Sequence, residues 1–169
     1  MLQKDSLILR PFQTADKTAL ALLANNKNIW NNITNKMPHP YAESDAVDFI
    51  KMATSKEPST ILAMEWKGQF SGAIGLHPQG DVYTGTAELG YWVGEPYWGN
   101  GLASKAVALM LEYGFETLGF RRIYAAAYDF NTQSMHILLK NGFIKEGIFK
   151  KAVIKNGKVL DEHRFAVVR

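Results

Sequence analysis

The sequence predicts an α/β fold in which helices flank a mixed, mostly antiparallel sheet. Two observations carry this prediction. A strand-like run at Thr86–Val93 leads through a glycine-bearing turn at residues 94–101 into a helical pattern. Strand pairs that read as hairpins occur both before and after this unit, and a hairpin makes its two strands antiparallel neighbours. The sheet is therefore expected to be mixed rather than purely parallel.

The first third of the chain predicts one strand, two helices and a loop. Residues 7–11 read as a short strand, and Thr14 is placed to cap a helix that runs to about Ala24. Residues 25–41 are polar and contain two prolines, so they predict a loop. Ser44 can cap a second helix, in which the apolar positions 46, 49, 50 and 53 share one face.

The middle of the chain is rich in strands. Ile61–Trp66 and residues 70–76 predict a hairpin that turns at Lys67-Gly68. In Thr86–Val93, the odd-numbered apolar residues alternate with Glu88 and Gly90 on the other face. The helix that follows the glycine turn has an apolar stripe at positions 103, 106, 107, 110, 111 and 118.

The last third predicts a strand at residues 123–128, a helix opened by Asn131 and stopped by Gly142, and a final hairpin. Residues 147–155 and Lys158–Val168 flank Asn156-Gly157, which is a strong two-residue hairpin signal.

Length and composition indicate a globular protein. With 169 residues, 47% of them hydrophobic and 21% charged, the chain is expected to form a single domain over residues 1–169. It shows no signal-peptide pattern and no long apolar run, so we expect a cytoplasmic protein with no membrane partner. The absence of cysteine excludes disulfides, thiolate metal sites and a cysteine nucleophile.

Charge and histidine placement narrow the classes of partner. Residues 98–169 carry 11 Lys and Arg against 6 Asp and Glu, an excess that suits a phosphorylated ligand, nucleic acid or an ordinary solvated surface. No arginine-rich tail or RNA-binding signature is present, so nucleic acid is not the expected partner. The histidines at positions 39, 77, 136 and 163 lack metal-ligand spacing, so we expect no metal.

The glycine turn is the first candidate site. Gly99 and Gly101 stand between a strand and a helix, where backbone N–H groups and the positive end of the helix can hold a phosphate. A tight turn without a ligand is an equally good interpretation of the two glycines alone. A dinucleotide-binding unit fits poorly, because Ser104 stands where a third glycine is required.

Several motifs in the right order resemble the GNAT superfamily of N-acetyltransferases. The run from Pro96 to Gly101 is similar to the pyrophosphate loop Q/R-x-x-G-x-G/A, with proline first, as in the RimJ/RimL-like branch phrase P-x-W-G-x-G-x-A. The run from Glu88 to Val93 also resembles that branch, as do Asn131, Ser134 and the later Asn-Gly-Phe. The resemblance covers most of the chain and implies a GNAT-like fold whose sheet splays at an acetyl-CoA site.

The resemblance also implies residue roles. Acetyl-CoA, as co-substrate, is expected to contact Tyr91, Trp92, Val93, Trp98, Gly99, Asn100, Gly101, Leu102, Ala103, Ser104 and Asn131. Asn131 can instead cap its helix, or do both, since a cap uses only the side-chain oxygen. Trp30, Asn31 and Tyr41 fall in the region that lines the acceptor pocket of similar enzymes, although aromatic residues there can equally be core.

The candidate catalytic residues are Glu88 and Ser134. Many GNAT enzymes have a tyrosine acid at the position of Leu138, and the branch resemblance moves that role to Ser134, which can otherwise only bond nearby backbone. Glu88 is a mid-strand carboxylate beside Gly90 and is the candidate base for the amine, unless it faces solvent or pairs with a cation. Without cysteine, the amine is expected to attack the thioester directly.

The acceptor is less well defined than the donor. The resemblance implies a primary amine, either the α-amine of a protein N-terminus or a small amine. A non-catalytic acyl-CoA-binding module is the alternative, and the pattern leaves monomer and homodimer both open.

Overall fold

A computed structural model describes residues 1–169 and shows one eight-stranded sheet with helices on both faces. The strands are β1 (Leu2–Lys4), β2 (Leu7–Arg10), β3 (Ile61–Trp66), β4 (Gln69–Pro78), β5 (Thr86–Val93), β6 (Arg122–Tyr128), β7 (Ile144–Lys155) and β8 (Lys158–Val168). The helices are α1 (Lys17–Ala24), α2 (Lys27–Trp30), α3 (Glu43–Ala53), α4 (Leu102–Glu112) and α5 (Thr132–Lys140).

The sheet is mixed, as the sequence predicts. Its strands lie in the order β1-β2-β3-β4-β5-β6-β8-β7. All neighbouring strands are antiparallel except β5 and β6, which are parallel. A parallel pair needs a crossover connection, and α4 provides it between the two central strands.

The central parallel pair separates after three residues. Thr86, Ala87 and Glu88 pair with Arg122, Ile123 and Tyr124, and the remaining residues of β5 and β6 do not pair with each other. Each strand keeps its outer partner, because β5 stays paired to β4 as far as Val93 and β6 to β8 as far as Tyr128. The sheet therefore opens into a gap in its middle, which confirms the expected splay.

Two hydrophobic cores lie on opposite faces of the sheet. One packs α4 and α5 against the strands and includes Leu89, Val93 and Met110. The other packs α1 and α3 against β3 and β4 and includes Phe70 and Ala73. The predicted alternation of β5 is confirmed, because Ala87, Leu89 and Val93 are buried toward α4. Glu88 and Gly90 therefore face the α3 side.

Both predicted hydroxyl caps are wrong. Thr14 lies in a 3-10 turn, Thr14–Asp16, that precedes α1, and Ser44 lies inside α3. In each case a carboxylate bonds the backbone N–H three residues earlier: Asp16 accepts from Gln13 at 2.8 Å and Asp45 accepts from Ala42 at 2.7 Å. A carboxylate in the first turn satisfies this exposed donor and also suits the positive helix end.

Other boundaries shift by a turn or less. The predicted loop at residues 25–41 contains the one-turn helix α2, whose first turn is capped by Asn26. The helix α4 ends before Leu118 and continues as a π-helical turn, Tyr113–Thr117. Gly142, with φ +84°, follows α5 as predicted, and Asn156-Gly157 makes the turn between β7 and β8. None of the helices combines the length and apolar character needed to cross a bilayer.

Candidate active site

A cavity of about 1320 Å³ passes through the gap between β5 and β6. One end, which we call the helix end, is lined by the loop before α4 and by the first turns of α4 and α5. The other end, which we call the acidic end, lies on the α3 side of the sheet and contains four carboxylates: Asp45, Asp48, Glu88 and Glu162.

The N-terminus of α4 is open and could accept an anion. Gly101 precedes the helix with φ +69° and Gly99 has φ +79°, conformations that side chains rarely adopt. A Cβ on either glycine would meet no protein atom within 4 Å, so the space in front of the helix is free. No side chain caps α4, which leaves its first N–H groups available to a phosphate.

The loop before α4 is braced from within. The side-chain amide of Asn100 donates to the carbonyls of Tyr97 and Trp98 at 3.0 and 3.2 Å, and Asn100 is not part of the cavity lining. The indole of Trp98 donates to the carbonyl of Val93 at 2.7 Å, which ties the loop to the end of β5. Asn100 therefore shapes the loop through its side chain and can meet a ligand only through its backbone.

The exposed edge of β5 offers backbone groups to the gap. Gln79 donates to Thr86 and Gly94 donates to Ser71, so the even-numbered residues of β5 bond to β4. The odd-numbered residues point their N–H and C=O groups toward the gap. Tyr91 has both groups there and Val93 has its N–H, whereas the backbone of Trp92 faces β4. Trp92 instead borders the cavity from the acidic side, where its indole lies 6.2 Å from the ring of Phe70.

Ser104 and Asn131 lie on the lining of the helix end. The side-chain oxygen of Asn131 accepts from the backbone N–H of Ser134 at 3.1 Å, which confirms the predicted cap. The amide nitrogen of Asn131 remains able to donate to a ligand. The hydroxyl of Ser104 accepts from Asn141 at 3.1 Å and so links α4 to α5.

Tyr91 is predicted to contact the co-substrate, and the structure also places its side-chain hydroxyl at the site. Tyr91 Oη lies 2.8 Å from Ser134 Oγ, and both residues line the cavity. Burial raises the pKa of Tyr91, and the hydrogen bond with Ser134 opposes that shift only in part. Leu138, at the position where many GNAT enzymes have a tyrosine, is fully buried in the core. No local pattern could have paired residues 43 positions apart.

Glu88 faces the acidic end, and His77 lies directly across from it on β4. His77 Nε2 comes within 3.5 Å of where a Cβ on Gly90 would stand, so the glycine leaves room for the imidazole. Burial lowers the pKa of His77. The negative charge of Glu88 opposes this shift, and the positive charge of Lys36 adds to it. The imidazole is thus neutral at pH 7 and able to accept a proton. The sequence did not single out His77, because a lone histidine carries no signal of a catalytic role.

The three predicted acceptor residues are not equivalent. Tyr41 lies on the cavity wall, and burial together with nearby Asp45 raises its pKa to about 12. Trp30 and Asn31 do not line the cavity. The indole of Trp30 packs beneath the ammonium group of Lys155, which lies 3.7 Å from the ring centre. Trp30 therefore contacts the end of the β7–β8 hairpin rather than the cavity.

The donor groups of the helix end fit acetyl-CoA. Its diphosphate needs N–H donors on a positive helix end, and its pantetheine arm carries amides that can pair with a free strand edge. Both features are present side by side along one cavity. No group of three or more His, Asp or Glu side chains is arranged to hold a metal ion.

The sequence matches a known protein family. The model of the acetyltransferase (GNAT) domain matches residues 6–144. The uncharacterised N-acetyltransferase YoaA of Bacillus subtilis is 30% identical over 181 aligned residues, which cover all of this chain and 97% of YoaA. The ribosomal-protein-serine acetyltransferase of Escherichia coli is 35% identical over 81 residues, 48% of this chain and 45% of that protein.

Solved structures of acetyltransferases share this fold. RimJ of Mycobacterium smegmatis, in complex with CoA-disulfide, superposes with a TM-score of 0.82 at 25% identity, covering 96% of this chain and 81% of RimJ. The microcin C7 self-immunity acetyltransferase MccE, in complex with acetyl-CoA and AMP, gives 0.82 at 25% identity over 98% of this chain and 94% of MccE. The chain therefore belongs to the GNAT family of acetyl-CoA-dependent N-acetyltransferases, in a RimJ/RimL-like branch.

Proposed function

We propose that this enzyme transfers the acetyl group of acetyl-CoA directly to a primary amine. The acceptor is either the α-amine of a protein N-terminus, of the ribosomal-protein type, or a small amine. One observation carries the proposal: a single cavity joins the anion-binding N-terminus of α4 to an acidic pocket on the far side of the sheet. A thioester held in the gap would meet an amine that enters from the acidic end.

Charge in the acidic end favours a cationic acceptor. Four carboxylates line the cavity there, and the cavity lining contains only two lysines, Lys36 and Lys140, the last residue of α5. A protonated amine is attracted to such a pocket before it reacts. Relatives point to acceptors of this kind: the spermidine N(1)-acetyltransferase of E. coli is 25% identical over 162 residues, 96% of this chain and 86% of that enzyme.

In this proposal the helix end holds the donor. The N–H groups of Leu102, Ala103 and Ser104 face the diphosphate, and the free backbone groups of Tyr91 pair with the pantetheine arm. Acetyl-CoA supplies the acetyl group as a thioester. The N–H of Val93 donates to the thioester carbonyl and stabilises the charge that develops on its oxygen.

The proton of the amine leaves toward Glu88. A lysine-type amine, with a pKa of about 10.4, is almost wholly protonated at pH 7. An α-amine, with a pKa of about 7.7, is partly protonated at the same pH. A base is therefore useful for either acceptor. Glu88 lines the acidic end, where it can take the proton of an entering amine directly or through a water molecule. Neutral His77 stands beside it and can accept the same proton.

The chain has no cysteine, so a cysteine acyl-enzyme is impossible and a ternary complex is expected. Initial rates measured while both substrates vary should give intersecting double-reciprocal lines. Parallel lines would indicate a covalent intermediate on another residue and would contradict direct transfer.

The transfer itself is tested by release of free CoA. The enzyme is mixed with acetyl-CoA and a panel of peptides, polyamines, amino acids and aminoglycosides, and a thiol reagent reports the CoA thiol without background from the protein. Release that depends on one acceptor class identifies the substrate type. Binding of acetyl-CoA without release on any acceptor would favour the non-catalytic alternative.

A further inference from the structure

We propose that Tyr91 fixes the direction of the Ser134 hydroxyl and supplies its proton, so that the two residues act as one unit on the sulfur leaving group. This inference rests on the proposed transfer reaction. It concerns the residue that protonates the departing sulfur. Leu138 cannot do so, although it occupies the position where many GNAT enzymes have a tyrosine acid, and it is buried in the core.

The direction of the hydrogen bond follows from the chemistry of the two hydroxyls. Tyr91 Oη and Ser134 Oγ lie 2.8 Å apart, and neither makes another protein hydrogen bond. A phenol is more acidic than an aliphatic hydroxyl and an aliphatic hydroxyl oxygen is the better acceptor, so the phenol of Tyr91 donates and Ser134 accepts. The proton of Ser134 is then free to point into the cavity, which both residues line.

The environment keeps Tyr91 in the donating form. Burial raises its pKa, and the phenol therefore remains protonated through the neutral pH range. Ser134 is held as well, because its backbone N–H donates to Asn131 at the start of α5. Without the phenol, the serine hydroxyl can turn to a backbone carbonyl of the preceding turn, as serine commonly does near helix ends.

The site of action is set by the strand edge. The backbone of Tyr91 lies in the gap beside β6, and its side chain reaches across to the first turn of α5. The sulfur of a donor whose arm pairs with β5 would lie beside this hydroxyl pair. As the carbon–sulfur bond breaks, its electron pair stays on sulfur. Sulfur takes the proton of Ser134, Ser134 takes that of Tyr91, and the phenolate recovers a proton from water.

The kinetic test compares Tyr91→Phe, Ser134→Ala and the double variant. Tyr91→Phe removes one oxygen, and we expect kcat to fall about five- to tenfold, the size of one lost oriented hydrogen bond. Because Tyr91 acts through Ser134, the double variant should be no slower than Ser134→Ala within about twofold. Losses that multiply, or a Tyr91→Phe rate within about twofold of wild type, would overturn the inference.

A second readout needs no turnover. The thiol of bound CoA can be titrated by its thiolate absorbance, which is free of cysteine background in this protein. A hydroxyl aimed at sulfur lowers the thiol pKa, so Tyr91→Phe and Ser134→Ala should each raise it by about half a unit or more. An unchanged thiol pKa in Tyr91→Phe would also overturn the inference.

The control is Tyr113→Phe. Tyr113 is a partly buried tyrosine whose hydroxyl donates to the carbonyl of Ser59 at 3.2 Å, away from the cavity. This variant should leave both kcat and the bound thiol pKa unchanged. A wild-type enzyme that binds CoA but acetylates no amine would contradict the proposed function and still leave the thiol titration to decide the role of Tyr91.

Discussion

Arg10 and Asp16 form a buried ion pair that fixes the entry of the chain into α1. Arg10 is 8% exposed and Asp16 is 6% exposed. The guanidinium donates to both oxygens of Asp16 at 2.8 Å, and its Nε donates to Glu65 at 2.7 Å. The contact joins β2, β3 and the turn before α1, so its loss would affect three elements at once.

The first prediction concerns this pair. Asp16→Asn removes the more buried of the two carboxylates that Arg10 contacts and leaves Glu65 as its only counter-charge, so it should lower the free energy of unfolding by about 2–3 kcal/mol at pH 7. Chemical denaturation measures the loss. Asp48→Asn, at an exposed carboxylate, should cost about 0.5 kcal/mol or less.

The same pair has a pH signature. Burial alone would raise the pKa of Asp16, but the hydrogen bonds from Arg10 and from the N–H of Gln13 outweigh it and lower the pKa. The stabilising contribution is therefore complete above the unfolded value of about 3.9 and is lost as the pH falls through the lower folded value. Asp16→Asn should flatten stability in that acid range, and equal slopes for the two proteins would contradict the assignment.

The second prediction concerns Glu88. Glu88→Gln keeps the shape of the side chain but cannot accept a proton, so kcat/KM at neutral pH should fall by about 10²-fold or more. The pH dependence of kcat/KM at saturating acetyl-CoA is the measurement, and the acid limb should change. His77→Gln, measured alongside, separates the two neighbouring bases.

Glu162→Gln is the matched control for Glu88. Glu162 lines the same cavity, yet its carboxylate accepts from Arg164 Nε at 2.8 Å. Its replacement removes the same charge from the acidic end and should raise the KM of a cationic acceptor while the pH profile keeps its shape. An unaltered profile for Glu88→Gln would exclude Glu88 as the base.

The N-terminus of α4 yields the third prediction. Gly101→Ala places a methyl group in the open space before the helix and should raise the KM for acetyl-CoA about tenfold or more. The backbone strain of alanine at positive φ, about 1–2 kcal/mol, must be separated from this effect. Gly119→Ala supplies the comparison, since Gly119 has φ +70° and open space but lies away from the cavity.

Both variants should lose similar stability in thermal unfolding, and only Gly101→Ala should bind acetyl-CoA more weakly. Equal binding by the two variants would mean that the helix end does not hold the donor.

The tip of the β7–β8 hairpin holds the loop that follows α2. Lys155 is 3% exposed, donates to Asn35 at 3.1 Å and lies over Trp30. Burial lowers its pKa, and the aromatic face replaces a carboxylate as the partner of the charge. Ile33, Thr34 and Met37 of this loop line the cavity, so the hairpin positions part of the acidic end.

The fourth prediction follows from that contact. Lys155→Met keeps the length of the side chain but loses the cation–π and hydrogen-bond contacts, worth about 1–2 kcal/mol. The KM for the amine should rise about five- to tenfold while the KM for acetyl-CoA stays the same. Lys158→Met, at an exposed lysine of the same hairpin, should change neither constant. A change in both constants for Lys155→Met would indicate general loosening rather than a local effect.

Local patterns predicted the elements well and the contacts between them poorly. The alternation in β5, the cap by Asn131 and the turn at Asn156-Gly157 depend on neighbouring residues, and the structure confirms each. Thr14 and Ser44 failed as caps because Asp16 and Asp45, two residues and one residue later, bond a backbone N–H at the start of the helix instead, and sequence alone does not rank the two kinds of side chain. The hydroxyl pair of Tyr91 and Ser134 depends on strand order and helix placement, which no short window contains.

Across the whole sheet, the strands β1 to β5 are joined to the strands β6 to β8 by only three residue pairs, those between β5 and β6. Acetyl-CoA lying in the gap would bond the free edge of β5 as an additional strand does. The ligand should therefore stabilise both halves of the sheet, by an amount that grows with its concentration above the dissociation constant.

The fifth prediction is a pattern of amide protection. On addition of acetyl-CoA, the N–H groups of Tyr91 and Val93 should exchange more slowly with solvent, because they gain partners. The N–H groups of Gly90 and Trp92 already bond to β4 and should change less. Residue-resolved hydrogen exchange by NMR measures this. Uniform protection along β5 would instead indicate general tightening without strand-like pairing.

The hydrogen bond between Lys155 and Asn35 also has a consequence for the exchange of loops between related enzymes. The two residues are 120 positions apart in the chain, yet together they position part of the acidic end, where the acceptor is proposed to bind. A loop transplanted alone from a relative with another acceptor would meet a lysine suited to a different partner. Acceptor preference in this scaffold should therefore transfer only when the loop and the hairpin tip are exchanged as a pair.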